Sequence, residues 1–237
     1  MSDGDWLDLF QKRLGPNELE PGERAAISQC LVGTFTYNRG ERILLNEIGK
    51  DALHLVIRGW AARVCTLETG AAQITDVFLP GDLCGVSTLT GAPSNEVVAV
   101  SALRVALLDR TALLDAMDTR AKLSRALLHL ALAEQAILRE WIVGLGLRDK
   151  RKHLAHLLCE LHCRLFRVGL ATADAFDLPL TQEQLSQVIG ATAVHTNRML
   201  QQLRKEGVIR FESRVVQILQ PSQLVEIAEF DGAYLKH

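Results

Sequence analysis

Apolar residues recur at short, even intervals over the first half of this 237-residue chain. Between residues 38 and 93, apolar and often alternating segments such as 53–57 and 74–78 are separated by glycines spaced 9–11 residues apart. Short strands with a turn about every 8–12 residues indicate a β-sandwich or β-barrel. We therefore predict a β-roll of the jelly-roll type. Residues 99–108 are predicted to form its last strand, and the pattern over residues 5–31 predicts a helical segment at one end.

A different pattern, without proline and rich in Leu, Ala and Ile, runs over residues 119–147. At about 1.5 Å per residue it predicts a helix roughly 40 Å long. One of its two apolar stripes can pack on the β-roll, and the other needs a different partner, most simply the same helix of a second subunit. The alternative is a helix buried on all sides within one subunit. The first stripe, which we assign to this dimerisation helix, consists of Leu123, Leu127, Leu130, Ile137 and Trp141. The second stripe consists of Leu128, Leu138, Ile142 and Leu145.

The sharpest pattern in the chain predicts two short helices joined by a tight turn and followed by a hairpin. Thr181 and Gln184 have the spacing of a capping box, and Gly190 interrupts the helical pattern where the turn must be. The second helix is predicted over residues 192–207 and the hairpin over residues 208–219. This order of elements is that of a helix-turn-helix with a β-wing, a DNA-binding unit.

The second helix has two distinct faces at about 100° per residue. The inner face, predicted to pack on the first helix, carries Thr196, Met199, Leu200 and Leu203. The outer face carries residue types that read base edges: arginine pairs with guanine, asparagine or glutamine with adenine, and an aliphatic group touches the thymine methyl. The predicted base contacts are Val194, Asn197, Arg198 and Gln201. The predicted phosphate contacts are Thr181, Gln182, Thr192, His195 and Arg214.

The distribution of charge along the chain supports a DNA-binding C-terminal part more strongly than the net charge does. The net charge is only −2, but residues 1–118 hold 10 basic and 16 acidic side chains, whereas residues 150–219 hold 10 basic and 6 acidic ones. A basic C-terminal part suits phosphate contact. Any amphipathic helix pair with a polar outer face shares part of the pattern, but the cap, turn glycine, two-faced helix and hairpin in this order favour double-stranded DNA as the partner.

No targeting or membrane segment is expected from the sequence. The first ten residues carry three aspartates and no basic residue, unlike a signal or transit peptide. No apolar run approaches the roughly 18–20 residues of a membrane span. We therefore expect a cytoplasmic protein without a membrane partner.

The five cysteines do not form a recognisable framework, so structural disulfides are not expected. On a predicted helix over residues 149–168, His156, Cys159 and Cys163 share one face and could bind a metal or form a redox pair. The stronger interpretation is that the cysteines pack on the buried face of that helix.

A glycine-paced β-roll, a long Leu/Ala helix and a winged helix-turn-helix together resemble the Crp/Fnr family of bacterial transcription regulators. The segment 178–209, with Arg198 near the middle of the second helix, is similar to the family's helix-turn-helix signature. The resemblance implies an α+β fold with a β-roll effector domain at residues 1–118, a dimerisation helix at 119–147 and a DNA-binding domain at 148–237. It also implies a homodimer that binds palindromic promoter sites, responds to an effector and works with RNA polymerase. Many members have a glutamate where this chain has Val194, which predicts a different operator.

The same resemblance places an effector pocket in the β-roll, with Cys84, Gly85, Val86, Asn95 and Glu96 as candidate residues. Cyclic-nucleotide members have a glutamate where Val86 stands and an Arg-Ser or Arg-Thr pair where Asn95 and Glu96 stand. A carboxylate would repel the cyclic phosphate, so a cyclic nucleotide is disfavoured. An iron–sulfur cluster is also disfavoured, because no cysteine precedes Cys30. The effector is therefore unknown, and regulation without an effector, or by redox state or a metal, stays open.

The sequence disfavours two other classes of function. A cupin-like metalloenzyme would carry a His-x-His pair on a strand, but the roll has His54 alone. No Gly-x-Ser-x-Gly, P-loop or dinucleotide-binding motif is present either, so the sequence predicts no enzyme. A signalling adaptor that uses its winged helix for protein contacts would lack the steep salt dependence of DNA binding.

Overall fold

The computed structural model describes residues 5–15, 19–43, 52–90 and 96–235. The chain divides into two compact units. The first comprises Met1–Cys65 and Asp76–Gln135, and the second comprises Thr66–Thr75 and Ala136–Lys236. None of the helices among the described residues has the length and apolar character needed to cross a membrane.

Two four-stranded antiparallel sheets form the β-roll that the glycine spacing predicts. Their strand orders are β1-β8-β3-β6 and β2-β7-β4-β5. The strands are β1 (Leu31–Tyr37), β2 (Arg42–Ile43), β3 (Ala52–Arg58), β4 (Ala61–Thr66), β5 (Ala72–Phe78), β6 (Leu83–Cys84), β7 (Glu96–Ala99) and β8 (Leu103–Asp109). The core of the roll joins both sheets: Val56 and Leu103 of the first pack with Ala61, Phe78 and Val97 of the second. The predicted jelly-roll fold is therefore confirmed.

Two details of the first unit differ from the sequence prediction. The helical segment predicted over residues 5–31 is two helices, α1 (Asp5–Leu14) and α2 (Pro21–Gln29). Proline at the first turn of α2, together with a reciprocal cap between Glu20 and Glu23, starts a new helix there. The predicted last strand over residues 99–108 also spans the end of β7 and most of β8, because the chain bends at residues 100–102.

A pair of helices follows the roll: α3 (Arg110–Thr119) and α4 (Ala121–Gly146). Asp109 caps α3 by accepting a hydrogen bond from the backbone N of Ala112. Arg120 adopts an extended conformation and separates the two helices. The predicted helix over residues 119–147 is thus confirmed as α4, with its start shifted by two residues.

Charged side chains meet on the inner side of α4 in the first unit. Arg13 of α1 forms an ion pair with Asp82, and a second oxygen of Asp82 accepts from the backbone N of Leu79 at 2.7 Å. Glu134 of α4 is half-buried. Burial, and then the carboxylates of Asp76 and Asp82, raise the pKa of Glu134 to about 8, against the opposing effect of Arg63 and Arg13.

The second unit contains the helices and the small sheet of the C-terminal half. They are α5 (Lys150–Arg167), β9 (Ala175–Asp177), α6 (Gln182–Ile189), α7 (Ala193–Lys205), β10 (Ile209–Glu212), β11 (Val215–Ile218), α8 (Pro221–Ala228) and a 3-10 helix (Gly232–Leu235). The three strands pair in the order β10-β11-β9. The sequence patterns do not indicate β9, which adds a third strand to the hairpin. They also give no indication of α8.

Close approach and a buried carboxylate join α4 to α5 within this unit. A Cβ atom added to Gly144 would lie 2.5 Å from Nε2 of His153, so only glycine fits beside this imidazole. Further along α5, the fully buried Glu160 accepts hydrogen bonds from Trp141, Arg164 and Tyr234. Burial raises the pKa of Glu160, and the three donors oppose that shift.

Candidate nucleic-acid interface

Both helices of the helix-turn-helix begin at capped, exposed threonines. Oγ1 of Thr181 accepts a hydrogen bond from the backbone N of Gln184 at 3.0 Å, and Oε1 of Gln184 accepts from the backbone N of Thr181 at 2.9 Å. Oγ1 of Thr192 accepts from the backbone N of His195 at 3.2 Å. The predicted capping box and the predicted start of the second helix are therefore confirmed, and both threonines lie at helix N-termini, where backbone N–H groups favour anions.

The turn between α6 and α7 requires glycine. Gly190 ends α6 in the left-handed conformation, with φ of 63°. A Cβ atom there would lie 2.7 Å from Cδ2 of Leu145, so a larger residue would also require that leucine side chain to move. Next to it, Nζ of Lys150 donates to the carbonyl of Ile189 at 2.9 Å and occupies one of the last carbonyls of α6.

The inner face of α7 is buried as the sequence predicts. Thr196, Met199, Leu200 and Leu203 are all less than a tenth exposed. The outer face is open: Val194 is 82% exposed, and Arg198 and Gln201 are exposed, while Asn197 is half-buried. The structure thus brings all four predicted base-contacting residues to one side of a helix whose other side is fixed in the core.

Two of those four residues are held by side-chain hydrogen bonds. Nδ2 of Asn197 donates to Oε1 of Gln182, the first residue of α6, at 2.8 Å. Nη2 of Arg198 lies 3.2 Å from Nδ1 of His195, one helical turn earlier. Gln182 and His195, which the sequence analysis assigns to phosphates, therefore contact residues assigned to bases.

The wing is a tight hairpin whose turn carries Arg214. Ser213 and Arg214 both have positive φ, 49° and 65°. Two consecutive residues with positive φ are typical of a type I′ turn, which favours glycine at the second position. An exposed arginine in that position costs backbone energy, and such strain is found most often where a side chain has a function.

A groove of about 360 Å³ separates the end of α7 from the wing. It is lined by Gln201, Arg204, Lys205, Ile209, Arg210, Glu212 and Leu219. The sequence analysis did not assign a role to Arg204 or Lys205, although two adjacent basic residues in the last turn of a reading helix were a usable signal. Three basic side chains against one carboxylate give the groove a positive balance.

The effector-pocket candidates lie in different environments. Cys84 is fully buried in the core of the roll, where burial raises the pKa of its thiol well above the usual range. Gly85 follows with φ of 90°, and the buried Val86 begins a 3-10 helix, Val86–Thr90. Glu96 lies on β7 of the other sheet, with Oε1 at 2.7 Å from Nε of Arg42. Asn95 lies outside the described residues.

One polar group inside the roll was not singled out by the sequence. His54 of β3 is 1% exposed and lies opposite Cys84 in the strand pairing. Its Nε2 is 3.5 Å from the hydroxyl of Tyr37. Burial lowers the pKa of His54 to about 4, so the imidazole is neutral at physiological pH.

The five residues used as the marker of the dimerisation helix are all buried within one chain. Leu123, Leu127, Leu130, Ile137 and Trp141 are at most 7% exposed. The second stripe is exposed instead: Leu128 by 57%, Leu138 by 39%, Ile142 by 68% and Leu145 by 39%. Leu132 extends this stripe at 50%. The first stripe therefore cannot supply a surface to a second subunit, and the second stripe is the one that is open.

The histidine and cysteines of α5 do not gather around a common point. His156 is engaged by the Tyr234 hydroxyl at 3.1 Å and packs edge-on against Phe230. Burial raises the pKa of Cys159 to about 12, and Cys163 is exposed. Among the described residues, no group of three or more His, Cys, Asp or Glu side chains could hold a metal ion.

Models of two protein families match the two parts of the chain in the order that the fold predicts. The cyclic nucleotide-binding domain matches residues 34–120. The Crp-like helix-turn-helix domain matches residues 152–227. The chain belongs to the Crp/Fnr family. Members of this family are transcription regulators rather than enzymes.

Curated Crp/Fnr relatives align with most of the chain. The transcriptional activator protein FnrL of Cereibacter sphaeroides is 28% identical over 76% of this chain and 73% of its own length. The nitrogen fixation regulation protein FixK of Bradyrhizobium diazoefficiens is 24% identical over 81% of this chain and 80% of its own length. Among solved structures, FixK2 from Bradyrhizobium japonicum superposes with a TM-score of 0.72 at 25% identity, over 82% of this chain and 96% of that one.

Proposed function

We propose that this chain is a sequence-specific DNA-binding transcription regulator that reads promoter sites with the outer face of α7. The observation that carries the proposal is the exposed set Val194, Arg198 and Gln201 on a helix whose opposite face is buried. Arg198 is suited to guanine, Asn197 and Gln201 to adenine, and Val194 to a thymine methyl. These side chains would enter the major groove of a duplex.

Phosphate contacts would surround the reading face. Thr181 and Thr192 offer hydroxyls at the N-termini of α6 and α7, and Arg214 extends from the wing turn. The groove between α7 and the wing adds Arg204, Lys205 and Arg210. Such contacts position the helix without reading sequence.

The regulator would act as a homodimer through the exposed stripe of α4. Leu128, Leu132 and Ile142 are each at least half exposed, and an apolar stripe of this kind on a soluble chain marks an interaction surface. Two copies related by a two-fold axis would bind palindromic half-sites roughly 34 Å apart. RNA polymerase would be the further partner of a regulator bound at a promoter.

Control would come from an effector at the β-roll other than a cyclic nucleotide. Glu96 places a carboxylate, paired with Arg42, at a position where a cyclic phosphate would need positive charge. A thiol-based redox response is the weaker candidate, because burial keeps the thiols of Cys84 and Cys159 protonated and unreactive.

Selection of bound sequences from random duplex DNA, with the full chain, tests the proposal. We expect a two-fold symmetric consensus and affinity for it that falls steeply as salt rises. Recovery of no consensus, together with salt-independent binding to protein partners, would show that the winged helix has a different use.

A further inference from the structure

A side-chain contact within α7 joins Arg198 to His195. Nη2 of Arg198 lies 3.2 Å from Nδ1 of His195. A guanidinium can only donate hydrogen bonds, so Nδ1 must be the acceptor. In this geometry the arginine is held along the helix by a residue one turn before it.

A hydrogen bond between two amide side chains joins Asn197 of α7 to Gln182 of α6. Nδ2 of Asn197 donates to Oε1 of Gln182 at 2.8 Å. This bond uses one of the two Nδ2 hydrogens, so the other hydrogen and Oδ1 stay available. Recognition of adenine N7 and N6 requires one donor and one acceptor.

We propose that His195 and Gln182 are positioning residues that orient Arg198 and Asn197 for base readout, rather than phosphate ligands. This inference rests on the proposed function of α7. A long side chain that is free in solution loses rotamer freedom when it binds, whereas one already held has less to lose. His195 would thereby raise the affinity for the correct base pair, and Gln182 would do so for its neighbour.

A positioning role and a phosphate role predict different binding data. Loss of a phosphate contact weakens binding to all duplexes alike and lowers the salt slope by about 1. Loss of a positioning contact weakens binding only to the duplex with the correct base pair. The measured quantity is therefore a specificity ratio: the Kd for an operator changed at one base pair, divided by the Kd for the selected operator.

The experiment compares His195→Leu with His195→Asn in the full chain. Oδ1 of asparagine can take the place of Nδ1 as acceptor, whereas leucine offers none. We expect His195→Leu to lower the specificity ratio at the Arg198 base pair about two- to tenfold, as expected for the ordering of one long side chain. His195→Asn should restore most of it, and the salt slope should match that of the parent in both variants. His195→Ala replaces His195→Leu if the leucine variant melts at a lower temperature.

A double-mutant cycle separates the pair from other effects. In an Arg198→Ala background, His195→Leu should no longer change the specificity ratio. Gln182→Leu should behave likewise with Asn197→Ala, at a different base pair. An equal loss of affinity on every duplex, with a smaller salt slope and no rescue by asparagine, would overturn the positioning role. If the parent itself prefers no duplex, the proposed function fails, and this result is distinct from the other two.

Discussion

Nε1 of the Trp141 indole donates a hydrogen bond to Oε2 of Glu160 at 3.1 Å. Tyr234 donates to the same oxygen at 3.0 Å, and Arg164 donates to Oε1 at 3.1 Å. The donors come from α4, from α5 and from the C-terminal 3-10 helix, so one carboxylate links three segments. Because the Glu160 side chain has no exposure, each donor is needed to offset its desolvation.

Replacing Glu160 with glutamine should destabilise the second unit. The substitution removes the carboxylate charge of the buried ion pair that Glu160 forms with Arg164, itself only 3% exposed. Breaking a buried pair in this way costs about 3–5 kcal/mol, and urea unfolding would measure the loss. Glu226→Gln, at an exposed position of α8, is the matched control and should change stability by no more than about 0.5 kcal/mol. An unchanged urea midpoint for Glu160→Gln would show that the hydrogen bonds of Glu160 do not stabilise the packing of α4 on α5.

The pKa of Glu134 gives the first unit a stability that depends on pH. Its folded pKa of about 8 is above the value of about 4.3 expected in the unfolded chain, so the folded state binds the extra proton between these values. Its contribution is fully present below the unfolded pKa and is lost as pH rises through 8. Glu134→Gln should flatten this decline, by up to about 1.4 kcal/mol per pH unit. Unfolding curves at pH 6 to 9 test this, and parallel pH profiles for parent and variant would contradict it.

Replacing Arg198 with alanine should weaken binding to the selected operator by about 1–3 kcal/mol and relax specificity at one base pair. The reason is the loss of a bidentate contact with guanine. Fluorescence anisotropy with the operator and with single-base variants measures both effects. Arg39→Ala removes an exposed arginine from the first unit and should leave specificity unchanged. Equal affinity of Arg198→Ala and the parent for the operator would refute this role.

A charge in the exposed stripe of α4 should separate the subunits. Ile142 is 68% exposed in one chain, and we expect Ile142→Asp to shift the sedimentation profile from dimer to monomer, because a buried unpaired carboxylate is costly. Val225→Asp makes the same change at a 43% exposed position of α8 and should leave the dimer intact. Identical profiles for Ile142→Asp and the parent would remove this stripe from the interface.

Glycine at position 214 should stabilise the wing while weakening DNA binding. Arg214 has φ of 65°, a conformation that costs a residue with a Cβ atom about 1 kcal/mol or more. Arg214→Gly should therefore raise the melting temperature and lower the salt slope of operator binding by about 1. Arg214→Lys keeps the charge and the strain, so it should change neither by much. A lower melting temperature for the glycine variant would show that the turn does not strain the chain.

The sequence predicts those parts of the fold that have a period or a cap. Thr181, Thr192 and Gly190 indicate the helix-turn-helix from local sequence, because each affects the backbone conformation of residues within one helical turn of itself. The three-residue strand β9 leaves no such signal, since it is defined only by pairing with β11, 40 residues later along the chain. Strand pairing also explains why the environment of His54 was not predicted. A lone histidine on a strand gives no indication that the Tyr37 hydroxyl lies beside it.

The candidate site shows the same division. The outer face of α7 follows from helical spacing alone, so Val194, Asn197, Arg198 and Gln201 could be named before the structure. The partners of Asn197 and Arg198 could not be, because the choice of Gln182 depends on where α6 lies against α7. The two stripes of α4 were visible as patterns, but only three-dimensional packing decides which one is buried.

Because Gly144 has no side chain, α4 and α5 approach each other closely at this position, and their contact does not tolerate a larger residue. The ring of His153 fills the space that a Cβ atom at position 144 would take. Even alanine would therefore force α4 and α5 apart where the chain enters the DNA-binding domain. Random replacement at this one site would therefore be expected to yield chains that keep the β-roll and the outer face of α7 but lose the close packing of α4 on α5.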